Sequence, residues 1–126
     1  IFNYVKVDFK IPSILIPWAI VNLLFVCVAE EAFFRGFIQK ELSLIMQSVK
    51  GGSWMAIGIA SILFGCAHYQ GGIVYIVLAA LAGAGYGFVY QRSNKIESSI
   101  FLHFLVNLIH FIAFSYPALD HALMLK

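Results

Sequence analysis

Three long stretches of this 126-residue chain carry no charged side chain: residues 11–29, 51–91 and 98–119, which are 19, 41 and 22 residues long. Charge is what keeps a globular surface in water. A soluble domain carries roughly 25% charged residues; here the figure is 11%, against 62% hydrophobic. A soluble fold is therefore excluded. Disorder is excluded too, because it needs low hydrophobicity and high net charge. A net charge of +2 spread along the chain offers no basic patch, so nucleic acid is not an expected partner. The remaining class is an integral membrane protein.

A helix needs about 20 apolar residues to cross the hydrocarbon layer. As one helix, residues 51–91 would extend ~60 Å, twice that thickness. The run must break, and Gln70-Gly71-Gly72 is the place. The pattern predicts an all-α, polytopic transmembrane bundle of about four spans, near residues 13–38, 53–69, 73–91 and 98–116. Between the first two, Leu42, Ile45, Met46 and Val49 recur at helical spacing, so the first helix is expected to run past Glu41, within a segment closed by Gly51-Gly52. Residues 92–97 read as a polar turn and Pro117 as the stop of the last helix. The chain reads as one membrane-embedded domain over residues 1–126, and its start at Ile1 as that of a piece of a longer protein. Lys6, Lys10 and Lys126 on one side balance Lys40, Lys50, Arg92 and Lys95 on the other, so no orientation follows. Cys27 and Cys66 fall within spans and read as small buried apolar residues. Ala79, Gly83 and Gly87 form a small-residue stripe of the kind that packs helices closely, with no chemistry implied.

Three places break the apolar pattern: Glu30-Glu31-Ala-Phe-Phe-Arg35, Phe64-Gly-Cys-Ala-His68 and His103-Phe-Leu-Val-Asn107. An ionisable residue at the centre of a spanning helix costs roughly 2.5–3.5 kcal/mol and usually faces a bundle interior or a wet cavity. Glu31 and Arg35 are four apart, so they share a helix face and can pair. That leaves Glu30, about 100° around the helix, as the carboxylate without a built-in partner and a candidate general base. His103 and Asn107 share another face. The bland alternatives stand beside these. The Glu31–Arg35 pair can be purely structural, and a lone histidine in a span is often an interhelical hydrogen bond. His110 suits packing or an interface, and His121, beyond Pro117, suits an exposed position. Phe33, Phe34, Phe37 and Phe64 suit packing or lipid contact.

In this order and on successive hydrophobic segments, Glu-Glu-x-x-x-Arg, Phe-x-x-x-His and His-x-x-x-Asn resemble the three motifs of the CPBP intramembrane proteases. That family includes the type II CAAX prenyl endopeptidases and the bacterial Abi proteins. The likeness runs from about Ala29 to Asn107 and takes in residues 86–96. It implies peptide-bond hydrolysis within the membrane. Glu30 would activate a water with help from His68, and His103 and Asn107 would stabilise the oxyanion. Glu31, Arg35 and Phe64 would hold the site together. The implied partners are a peptide or protein substrate, C-terminal or lipidated, and membrane lipid; the implied location is a bacterial inner membrane.

No cofactor is favoured. The alternative is zinc held by Glu30, His68 and His103, a three-ligand site with one open position. Against it, the chain has no His-Glu-x-x-His, and Asn107 suits an oxyanion donor better than a metal ligand. Two other classes compete: a catalytically silent member of immunity or scaffolding type, and a haem-binding membrane subunit using His68, His103 or His110. The haem reading leaves Glu30, Glu31 and Arg35 unexplained.

Span counting sets one difficulty. Glu30 lies ~28 Å along the helix from Ile11, near the far face, whereas His68 on the returning helix would lie near the other. Both reach one cavity if the first helix is continuous to the mid-forties and Glu30 sits at mid-depth.

Overall fold

The structure is a computed structural model and describes residues 6–115. Among them lie four helices. Helix α1 runs over Leu15–Ile45, α2 over Gly52–Ala67, α3 over Gly72–Ser93 and α4 over Ile96–Ala113. The chain is an integral membrane helical bundle. Three of the helices, α1, α4 and α3 with its lead-in turn, are long and apolar enough to cross a membrane. The second is shorter, 16 residues or ~24 Å, so the predicted span near 53–69 stops short of full thickness.

The distribution of side chains is inside out. The largest fully buried side chains are Arg35, Gln39, Glu31, Cys27 and Ser99, while Ile16, Phe25, Ile62, Ile73, Leu81 and Phe101 face outward. In lipid, apolar surface needs no covering, and helices associate through close packing and polar contacts. Gly65 shows the packing: a Cβ there would lie 2.6 Å from the carbonyl oxygen of Ile76, so α2 and α3 touch backbone to backbone. A compact core of Phe34, Phe64, Ala79 and Tyr86 fills the centre.

Helix α1 is not uniform. It carries two π-helical stretches, Asn22–Cys27 and Ala32–Gln39, which flank Glu30 and Glu31. Such wide turns recur at functional sites.

The connections follow the glycines. Gly51, at φ 81°, precedes α2. The expected break at residues 70–72 is a short 3₁₀ turn, Tyr69–Gly71, followed by Gly72 at φ 81° and ψ 175°, a conformation open only to glycine. The α3–α4 turn reverses through Asn94 at φ 54°.

The last helix ends at Ala113, earlier than the predicted 116. Phe114–Ser115 (β2) turn extended and pair antiparallel with Lys6–Val7 (β1), in the register Lys6 to Ser115 and Val7 to Phe114. The amides of Asp8 and Lys10 donate to the carbonyls of Ala113 and Ile112 at 2.9 and 2.8 Å. These are carbonyls that a helix end otherwise leaves unsatisfied, so the incoming chain caps α4. Pro117 and His121, given roles above, lie outside the described residues. Cys27 is buried as expected, but Cys66 faces outward from α2, which corrects its reading as a buried residue.

Depth now works out. Glu30 lies 15 residues, ~22 Å, from the Ile45 end of α1. His68 caps α2, whose other end starts just past Ile45, so its 16 residues bring His68 to nearly the same level. The shortness of α2 is what allows this. Helix α4 begins beside Gly36, where a Cβ would lie 3.1 Å from Ile96 Cδ1. From there His103 climbs ~10 Å, to the level of Glu31.

Candidate functional site

Glu31 is the hub. Its Oε1 accepts from Arg35 NH1 at 3.0 Å, one turn along α1, and from His103 Nδ1 at 2.8 Å, across on α4. Both carboxylate and guanidinium are fully buried. Arg35 continues across the bundle: NH2 donates to the carbonyl of Gly83 at 2.7 Å. The guanidinium carbon also stands 4.7 Å from the Phe64 ring centroid and 5.4 Å from that of Tyr86. An arginine in this position is held by charge, by hydrogen bonds and by ring faces at once.

One turn further on, Gln39 repeats the pattern, with Nε2 donating to the carbonyl of Gly87 at 3.0 Å. The small-residue stripe of α3 therefore packs α1 closely, as expected, and opens two of its backbone carbonyls to α1 side chains. A Cβ at Gly83 would stand 3.0 Å from Arg35 NH2, and one at Gly87 2.6 Å from Gln39 Oε1. Only glycine lets these side chains reach the α3 backbone.

Glu30 lies beside this network rather than in it. Its Oε2 is 3.9 Å from His68 Nε2 and 3.9 Å from His103 Nε2. It has no hydrogen-bond partner among the described residues. The Nδ1 of each imidazole is already committed, His68 to the carbonyl of Phe64 at 2.8 Å and His103 to Glu31. Both acceptors lack protons, so each Nδ1 is the donor, and each ring turns its Nε2 toward Glu30. Glu30 Oε2 and the two Nε2 atoms thus face one another. Glu30 and His68 remain partly exposed, at 30% and 23%, while His103 is covered.

Phe64 packs among these groups, edge-to-face with Phe34, Tyr86 and His103 and tilted against His68. Tyr86 stacks on His103, centroids 4.6 Å apart and planes within 16°. The imidazole is thus held by one ring face and one carboxylate.

Asn107 is placed differently. Its Nδ2 donates to Asn22 Oδ1 at 3.2 Å and, at a longer 3.7 Å, to Cys27 Sγ, both on α1. Cys27 Sγ in turn donates to Asn22 Oδ1 at 3.3 Å. Asn22, Gln39 and the ring of Tyr86 were not singled out from the sequence as members of this site. An isolated asparagine or glutamine in an apolar segment, with the price of burying a polar group, was the available signal.

The residues named for a zinc alternative, Glu30, His68 and His103, are right in kind: two anchored imidazoles and a carboxylate. Ligands sharing a tetrahedral zinc at about 2.0–2.1 Å stand ~3.4 Å apart, and both gaps measured here are 3.9 Å. Among the described residues, no group of three or more His, Cys, Asp or Glu is arranged to hold a metal ion.

Compared with known proteins, residues 12–109 match the family model described as type II CAAX prenyl endopeptidase Rce1-like. No curated protein and no solved structure matches the chain.

Proposed function

The chain belongs to the Rce1-like family of type II CAAX prenyl endopeptidases, and from that premise we propose that it hydrolyses a peptide bond within the membrane by a water that Glu30 activates. The observation that carries the reading is the meeting of Glu30 Oε2 with the Nε2 atoms of His68 and His103, each 3.9 Å away. Glu30 Oε2 and His68 Nε2 can both accept, and a water between them supplies two protons. Glu30 takes one as the water oxygen attacks the carbonyl carbon. His68 Nε2 accepts the water's second hydrogen bond and aligns the attack. The carbonyl π electrons move to oxygen, then return as the C–N bond breaks, and the amine leaves with the proton Glu30 held.

The developing oxyanion needs donors, each worth about a hundredfold to a thousandfold in rate. We assign these to His103 and Asn107. With Nδ1 on Glu31, His103 can donate from Nε2 only as an imidazolium, and Glu31 beside it is the counter-charge. Glu31, Arg35 and Phe64 hold His103 in place. The proposed substrate is a peptide or protein, cut near its C-terminus or carrying a lipid, that reaches the site from the bilayer, and the proposed host is a bacterial inner membrane. The test is cleavage of a farnesylated, internally quenched peptide ending in a Cys-aliphatic-aliphatic-X sequence, beside its unprenylated twin. Cleavage by the wild type and not by Glu30→Gln is expected. Equal cleavage by both proteins would remove Glu30 from the mechanism.

A further inference from the structure

Asn22 lies two turns before Glu30 on α1, half-buried in a segment where an amide side chain needs a reason. In an α-helix, residues five apart point about 140° away from each other. The wider turn of the π-helical stretch Asn22–Cys27 cuts that offset sharply. It brings Cys27 onto Asn22, and the thiol donates to Asn22 Oδ1 at 3.3 Å. With the thiol as donor, the near end of the Asn22 amide is its oxygen. That oxygen then fixes Asn107, whose Nδ2 donates to it at 3.2 Å. The second Nδ2 hydrogen has only a sulfur acceptor, Cys27 Sγ at 3.7 Å. One hydrogen of the Asn107 amide is held by a good acceptor and the other by a poor one.

We propose that Asn22 is a positioning residue for the reaction: its Oδ1 holds the Asn107 carboxamide with NH₂ toward α1, so that one N–H is anchored and the other transfers from sulfur to the substrate's oxyanion. This rests on the oxyanion role proposed above for Asn107. Without the Asn22 oxygen, the two ends of the Asn107 amide have nearly the same shape, and α1 is left with only the Cys27 thiol, which can donate or accept and so selects weakly. A flipped amide would present oxygen to oxygen.

The experiment uses the whole chain in detergent micelles and the farnesylated quenched peptide. Asn22→Leu should lower kcat about tenfold to a hundredfold, the scale of a misplaced oxyanion donor, with KM within about twofold. Asn22→Asp, isosteric and an acceptor in either orientation, should keep kcat within about threefold of wild type. Added to Asn107→Ala, Asn22→Leu should lower kcat no further, because the group it positions is gone. Unchanged turnover in Asn22→Leu, or the same loss repeated on Asn107→Ala, overturns the proposal. Glu30→Gln is assayed alongside; if it cleaves, the functional reading fails for reasons unrelated to Asn22. A second readout does not depend on activity. In ¹⁵N-labelled protein, one Asn107 side-chain N–H should be protected from hydrogen exchange, lose that protection in Asn22→Leu and keep it in Asn22→Asp. Equal exchange in all three proteins also overturns the proposal. Should Asn22→Leu not fold, Asn22→Ala removes the same oxygen without added bulk; if that too fails to fold, Asn22 is structural and the proposal is wrong.

Discussion

Glu31 and His103 are 72 residues apart in sequence and 2.8 Å apart in space, joined by a buried hydrogen bond from Nδ1 to Oε1. The same oxygen holds Arg35. Adjacent glutamates therefore have separate duties. Glu31 is consumed by two cations or donors, and Glu30 faces the Nε2 side of the same imidazole.

That division sets the first prediction. Glu31→Gln leaves Arg35 as a buried cation without its carboxylate, a loss of about 3–5 kcal/mol. Thermal unfolding in detergent should fall sharply, and cleavage with it. A wild-type melting temperature in Glu31→Gln would contradict the hub role.

Arg35→Lys should not substitute. The arginine reaches Glu31 with NH1 and Gly83 with NH2 together, and a lysine ammonium lacks the fork that makes both contacts. We expect destabilisation close to that of Arg35→Ala, measured the same way.

Glu30→Gln should behave in the opposite manner. It keeps size and removes only the proton acceptor, so folding should be intact while turnover drops by about 10²–10⁴. Paired melting curves and cleavage rates decide it; unfolding of this variant would show that Glu30 serves the structure instead.

Two glycines of α2 give a packing test on one helix. At Gly58 a Cβ would meet nothing within 4 Å, whereas at Gly65 it would lie 2.6 Å from the Ile76 carbonyl oxygen and 2.8 Å from Ala80 Cβ. Gly58→Ala should be neutral or stabilising by up to about 1 kcal/mol. Gly65→Ala should cost about 1–3 kcal/mol, since backbone must move to admit the methyl. Similar melting temperatures for the two variants would refute the close α2–α3 contact.

Metal dependence has a direct check. With 3.9 Å gaps around Glu30 Oε2, cleavage should survive exhaustive chelation and gain nothing from added zinc. Loss on chelation with recovery on zinc would transfer the water's activation to a metal held by Glu30, His68 and His103.

Much of this was readable in the sequence because the α-helical period held. Glu31 and Arg35 meet at four-residue spacing, and the need to bring Glu30 and His68 to one depth required a continuous α1. The period failed at Asn22–Cys27. Counting back four from Cys27 puts Leu23 on the polar face, and only the wide π turn puts Asn22 there. Gln39 was missed because its partner is a backbone carbonyl, and no side-chain pattern encodes that. The second span, expected near 53–69, came out at nearly the expected length, Gly52–Ala67, because the glycines on either side mark its ends. The β1–β2 pair was invisible, since two residues a side carry no alternation.

Arg35 meets Gly83 and Gln39 meets Gly87 across the same sequence separation of 48 residues. Two such contacts in step make a register. Sliding α1 against α3 by one residue breaks both bonds together, and the next glycine carbonyl in line is a full turn away, ~6 Å. Nothing between those positions re-forms either bond. The height of Glu30 against α3 is therefore indexed rather than continuously adjustable along this pair.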